Sequence, residues 1–153
     1  MRLELGRRAD CGIRAAIDLA RHHETGERRK ARQIAEAMDV PAAYVPHVLA
    51  DLVRAELAVS LAGPAGGYLL ARPPDEISLL AVIRAVDDDP ASRPFLPRGG
   101  PCRWDDSRAV HALWAEAQQA MLGRLDQATL AEVIEFGAAI AQRVAGIPSP
   151  AAR

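Results

Sequence analysis

The segment "PFLPRGGPCRWDDSRAVHALW", Pro94 to Trp114, gathers side chains able to do chemistry: a thiol at Cys102, an imidazole at His111, and the carboxylates of Asp105 and Asp106. Thiolates are soft, anionic metal donors, and an imidazole can complete such a set. A single thiol can also act without metal. Cys102 lies between Arg98 and Arg103, cations that favour the thiolate, the form that peroxides oxidise and that other thiols cap. Three readings stand open for this segment: a metal-sensing loop, a metal loop that has lost its ligands, or a linker. Elsewhere the chain has no P-loop, no HExxH and no GxSxG, and its histidines are not paired with carboxylates at useful spacing. No catalytic residue is assigned, and an enzyme is not expected.

Which reading holds depends on the elements that position the loop. The 153 residues suffice for one domain, or for a small domain with appended helices. Half of the residues are hydrophobic but only 4% are aromatic, so the core must be built from Ala, Leu, Val and Ile, which favours close-packed helices. No apolar run approaches the ~20 residues that span a bilayer, and "MRLELGRRAD" lacks a signal core, so a cytoplasmic location is expected. Cys11 and Cys102 form neither a CxxC pair nor a disulfide framework. Net charge is −1, which argues against a uniformly basic nucleic-acid binder. Residues 1–72 carry 11 Lys/Arg against 9 Asp/Glu, net +2; residues 73–153 carry 8 against 11, net −3. The N-terminal half is therefore the anion-facing part.

The periodicity predicts a first helix over about Arg7–His23, with Ala9, Ile13, Ala16, Ile17 and Ala20 inward and Arg8, Arg14, Asp18 and Arg21 facing away. A polar loop, "ETGERRK", follows. "ARQIAEAMDVPAAYVPHVLADLVRAEL" reads as a short helix with Ile34, Ala35 and Met38, a break at Asp39–Pro41, and a second helix with Tyr44, Val48, Leu49, Leu52 and Val53. On its own this is either a helix-turn-helix, with Ala35 at the contact and Val40 in the turn, or an ordinary antiparallel helix pair. The next stretch, "LAVSLAGPAGGYLLARPP", decides for the former. Leu57, Val59 and Leu61 alternate, "AGPAGG" reverses the chain, and Tyr68 and Leu70 alternate on the return. A helix-turn-helix followed by a hairpin is a winged helix, whose second helix enters the major groove while the hairpin tip meets the phosphate backbone or the minor groove. Glycines at the tip permit close backbone approach to phosphates; they also serve plain turn geometry.

Beyond "RPPDE", Ser78 N-caps a short helix with Leu80, Ile83 and Val86. A long helix is expected from about Asp105 to Leu125, where Val110, Trp114, Ala117, Met121 and Leu125 form a coiled-coil-like seam. "TLAE" is a capping box opening a last helix through Val144, and "GIPSPAAR" is a frayed tail. The expected fold is mainly α: a winged helix-turn-helix DNA-binding domain over 1–86 with a two-stranded wing, a sensing-type loop over 87–104, a long dimerisation helix and a final helix over 105–145, and a tail over 146–153.

With these elements in place the sequence resembles the BadM/Rrf2 family of bacterial winged-helix transcription regulators over nearly its whole length. The resemblance is carried by "ADCGIRAAIDLA", "IAEAMDVPAAYVPHVLADLVRAELAVS", "GPAGGYLLARPPDEISLLAVIRAV" and "GGPCRW…AVHALW", the wing run being the most specific. It implies a homodimer, paired through the long helix at Val110, Trp114, Ala117, Met121 and Leu125, that binds a partly palindromic double-stranded operator, most often as a repressor. By position it places Ala42, Tyr44, His47 and Arg54 in or beside the recognition helix and Ser60, Gly63, Pro64, Ala65, Gly66, Gly67 and Tyr68 in the wing, as DNA-binding candidates. The Tyr44 ring could instead hold the helix pair together. Ala62 stands where the family usually has an arginine, which removes an expected minor-groove contact. Pro46 is tolerable only close to the start of its helix.

Many relatives hold an iron–sulfur cluster in the loop through three cysteines about six residues apart. Aligned on Cys102, the outer positions fall near Leu96 and Arg108, which cannot ligate. The resemblance leaves Cys102, His111 where some relatives have a histidine ligand, Asp10 where one branch supplies a carboxylate, and the adjacent Cys11. No cofactor is therefore expected, and an iron–sulfur cluster is disfavoured. A thiol-based redox sensor of the same family is a second reading of the chain, and a winged-helix protein-interaction module that no longer binds DNA is a third.

Overall fold

A computed structural model describes residues 5–87 and 105–145. The chain runs α1 (Arg7–Arg21), α2 (Ala31–Met38), α3 (Val45–Arg54), β1 (Ala58–Leu61), β2 (Gly67–Leu70), a 3-10 turn (Pro74–Glu76), α4 (Leu79–Val86), α5 (Asp105–Gln127) and α6 (Leu130–Ala145). This is the winged helix-turn-helix expected, with two helices appended.

Small residues let α1 lie at the centre. Ala9, Gly12, Ala15, Ala16 and Ala20 are buried along it, and it packs on α2, α3, α4 and α6. A methyl group added at Gly12 would lie 2.7 Å from a Val86 methyl, so the bare glycine is what lets the Val86 side chain pack against α1. Leu19, Ile34, Val45, Val48, Leu49 and Leu52 fill the space between the first three helices with almost no exposed surface. Each such side chain contributes about 1.5–3 kcal/mol by leaving water.

The helix-turn-helix corner follows from three residues. Asp39 takes the left-handed conformation (φ 50°) at the end of α2, and the Val40 N–H then donates to Ala35 O at 3.0 Å. This αL cap turns Val40 into the core, where it is buried beside Ala35. Pro46 sits in the first turn of α3, where the missing N–H has no intrahelical partner to lose.

The wing pairs antiparallel with Ala58 opposite Leu70, Val59 opposite Leu69, Ser60 opposite Tyr68 and Leu61 opposite Gly67. The alternation expected over Leu57, Val59 and Leu61 is displaced. Glu56 reverses the chain in the left-handed region (φ 58°), so Leu57 is buried ahead of the strand and Ala58 is buried again within it, leaving Val59 and Leu61 outward. A third segment joins the hairpin: Arg29 and Tyr68 exchange both backbone hydrogen bonds, at 3.0 and 2.8 Å.

The first helix carries one correction. Asp18, expected to face solvent, is buried at 2% exposure, because Arg29 reaches back from the α1–α2 loop to bond both its oxygens, at 2.9 and 3.3 Å. A carboxylate is kept out of water only when so paired. Ser78 caps α4, accepting from the Ala81 N–H at 3.1 Å, and Thr129 caps α6, accepting from the Glu132 N–H at 3.2 Å. A short antiparallel bridge, Leu79 N–H to Ala128 O (2.8 Å) and Leu130 N–H to Ile77 O (2.9 Å), fastens the α5–α6 corner to the winged helix. Leu122, Ala128 and Leu130 are buried there.

Candidate nucleic-acid interface

The apolar stripe of α3, Val45, Val48, Leu49 and Leu52, faces the core. With 3.6 residues per turn, burying that stripe forces Pro46, His47 and Arg54 outward, and all three are exposed. Ala42 and Tyr44 are exposed just ahead of the helix. Tyr44 is 38% exposed and stands beside the start of α3. Tyr44, His47, Asp51 and Arg54 then follow one edge of the helix at spacings of three and four.

That edge is organised by a residue the sequence pattern did not single out. Asp51 is 6% exposed, yet its Oδ1 accepts from Arg54 Nη1 at 2.8 Å and its Oδ2 accepts from Arg8 Nη2, on α1. Burial pushes the Asp51 carboxyl up, but the hydrogen bonds and charges of Arg8 and Arg54 outweigh it and hold the group below the usual carboxylate range. Arg54 is thus fixed at its base while its side chain stays 76% exposed. The only sequence signal was a charge on the otherwise apolar side of α3.

The wing is built as tightly. A methyl at Gly66 would lie 2.1 Å from Leu61 O, and the Gly66 N–H donates to Gly63 O at 2.9 Å across the tip. At Gly67 (φ 150°) a methyl would meet Arg29 O at 2.9 Å, where the third segment pairs. These glycines are required by close backbone approach, and the turn they allow leaves Gly63, Pro64 and Ala65 exposed. Arg28 Nη1 donates to Ala65 O at 3.0 Å, so the α1–α2 loop holds the tip from behind. Ser60 is exposed and Tyr68 half-buried on the strands.

Residues 5–135 match the Rrf2 family, described as "Iron-dependent Transcriptional regulator". The chain belongs to this family. It is similar to the HTH-type transcriptional regulator IscR of Klebsiella pneumoniae (strain 342), 32% identical over 122 residues, which cover 80% of this chain and 74% of that one. The same-named regulator of Sodalis glossinidius is 33% identical over an equal length, 73% of its chain. Among solved structures, T. potens IscR superposes with a TM-score of 0.68 at 26% identity, covering 88% of each chain. CymR (YrzC), the global cysteine regulator of B. subtilis, gives a TM-score of 0.74 at 24% identity, covering 88% of this chain and 98% of that one, a likeness of fold. This Rrf2 chain is a winged-helix, DNA-binding transcription regulator.

The family's description as iron-dependent raises the question of a cluster, which turns on the donors the chain can offer. Cysteine thiolates are what hold an iron–sulfur cluster, and this chain has two cysteines. Cys11 is buried in the core; burial, then the neighbouring charge of Asp10, push its thiol up against the opposing pull of Arg14 and Arg7. A thiol kept protonated in a core is a poor ligand. Asp10 accepts from Arg14 Nε at 3.0 Å, and His111 is half-buried on α5. No group of three potential ligands occurs among the described residues, and Cys102 lies outside them, as do the rest of the sensing-type loop and the tail. Two cysteines per chain fall short of the four thiolates that would hold such a cluster within one chain. No described helix is long and apolar enough to cross a membrane.

Of the five seam residues, Val110, Ala117 and Met121 are exposed, Trp114 is half-buried, and Leu125 packs against the chain's own core. Leu113, Phe136 and Ile140 are also exposed, at 66%, 68% and 46%. Phe136 and Ile140 belong to the apolar face of α6, whereas Leu113, three residues from Val110, lies outside the five-residue seam pattern.

Proposed function

We propose that this Rrf2 protein acts as a homodimeric repressor on a partly palindromic operator, acting by binding alone, without catalysis. The single observation that carries the reading is the exposed edge of α3, with Tyr44, His47 and Arg54, beside a wing whose tip is held open by backbone contacts. Such an edge is what a recognition helix brings to the major groove, and a tip of small residues can lie against the phosphates. Residues 1–86 serve as the DNA-binding unit and 105–145 as the dimerisation unit, with 87–104 between them as the sensing segment. The apolar residues left exposed on α5 support pairing with a second copy, and a two-fold dimer matches a two-fold operator. The test is a gel shift on the region upstream of its own reading frame at two salt concentrations. Sequence-dependent binding of one dimer per site, weakening steeply with salt, is expected. Binding that is absent or salt-insensitive would favour a protein-interaction module instead.

For the signal, thiol chemistry at Cys102 is favoured over a cluster, because the donor set falls short and Cys11 is buried. Oxidation or capping of Cys102 is then expected to change operator affinity, and mass spectrometry after mild peroxide checks it. Iron and sulfide analysis of anaerobically purified protein should find neither; a coloured, iron-containing dimer would reverse this reading.

A further inference from the structure

The Arg8–Asp51–Arg54 cluster is more than an ordinary surface ion pair. Its acid is buried while its two bases are half and three-quarters exposed. Asp51 therefore cannot turn away to solvent, and it holds one nitrogen of each guanidinium, one on each carboxylate oxygen. Each guanidinium has five N–H donors in a rigid fork, so both keep donors to spare. Because both guanidiniums bond the one carboxylate, two cations are gathered at one place on the surface, the arrangement that a bridging phosphate would use. The Arg8–Asp51 bond and the packing of α1 on α3 place the N-terminal turn of α1 beside the edge of α3. Asp87, at the end of α4, adds to the field on Arg8.

We propose that Arg8 and Arg54, aligned by the buried carboxylate of Asp51, clamp one phosphate of the DNA backbone at the edge of the recognition helix. Asp51 is the positioning residue and touches no DNA. The clamp rests on the docking proposed above. It adds a phosphate contact from α1, through an arginine that the periodicity placed facing away from the core. Because phosphate contacts carry no sequence information, the clamp fixes register and strengthens binding to every duplex equally.

The test uses the full-length protein, a fluorescent duplex from its own upstream region and a duplex of random sequence, each titrated across several salt concentrations. Arg8→Gln is expected to weaken both complexes by a similar factor and to flatten the slope of log affinity against log salt by about one unit, the loss of one phosphate contact. Arg8→Lys is expected to keep the slope, since the charge is retained, while losing part of the affinity. Asp51→Asn is the decisive variant. It raises the net charge by one, so tighter binding would show that the carboxylate only neutralises the arginines and would overturn the proposal. Weaker binding to both duplexes, with the fold intact by circular dichroism, supports it. An unchanged slope for Arg8→Gln overturns the clamp while leaving DNA binding in place. Failure of the wild-type protein to bind either duplex removes the docking reading itself.

Discussion

The winged helix and the two C-terminal helices treat apolar surface in opposite ways. In residues 5–87 most large aliphatics of α1, α2 and α3, such as Leu19, Ile34, Leu49 and Leu52, are sealed, and the buried acids, Asp18 and Asp51, are each tied to an arginine from another segment. In α5 and α6, Val110, Leu113, Met121, Phe136 and Ile140 stand in the open, although Leu122 and Leu130 anchor the pair to the body. The winged helix buries most of its hydrophobic residues and leaves Val59 and Leu61 outward on the wing, whereas α5 and α6 leave several of their largest exposed. The contrast sets a half that packs on itself beside a half whose exposed apolar surface the proposed dimer would cover.

The largest expected effect breaks the sealed region. Asp18→Ala leaves Arg29, only 11% exposed, without its main partner and loosens the third segment of the wing. A loss of about 3–5 kcal/mol is expected, as for removal of one partner from a buried pair, measured as a fall in the urea midpoint. Next comes Gly66→Ala. Its methyl would collide with Leu61 O, so β1 and β2 must part at the tip, at a cost of about 1–3 kcal/mol with weakened operator binding. Thermal unfolding and a gel shift together check it.

The open region should respond differently. Met121→Glu places a charge on an exposed residue of α5 and is expected to leave the monomer's helix content unchanged while shifting sedimentation from dimer toward monomer. A dimer that tolerates this change would refute the seam.

A smaller effect concerns pH. The folded carboxyl of Asp51 sits below its unfolded value, so the stability it contributes is present above the unfolded value. That contribution is lost as pH falls below about 4, through the folded value. Asp51→Asn should therefore flatten this part of the acid-denaturation curve and leave the curve near neutrality parallel to wild type. Smallest is the response of a thiol: maleimide should label Cys11 only on unfolding, since it is buried with its thiol pushed up.

Much of this was legible in the residues because it rests on local rules. Val40 in the turn, Pro46 at the start of α3, Ser78 and Thr129 as caps, and the glycines of the wing each obey constraints set within a few positions. Asp18 and Asp51 were not legible. Each looks like a solvated charge on an amphipathic helix, and each is buried because an arginine 11 or 43 residues away in sequence arrives to meet it. The displaced alternation at Leu57 and Ala58 has a similar origin, since a left-handed Glu56 carries no sequence mark as glycine would.

By itself, then, the sequence determined the order of helices and strands, the exposed edge of α3, and a loop with a single thiol. Those follow from periodicity, capping and donor chemistry, which act over single turns or single residues. Only the tertiary structure decided which charges became buried ties and which apolar residues stayed open. Such choices depend on what a side chain meets from the far end of the chain, and no local pattern encodes that meeting.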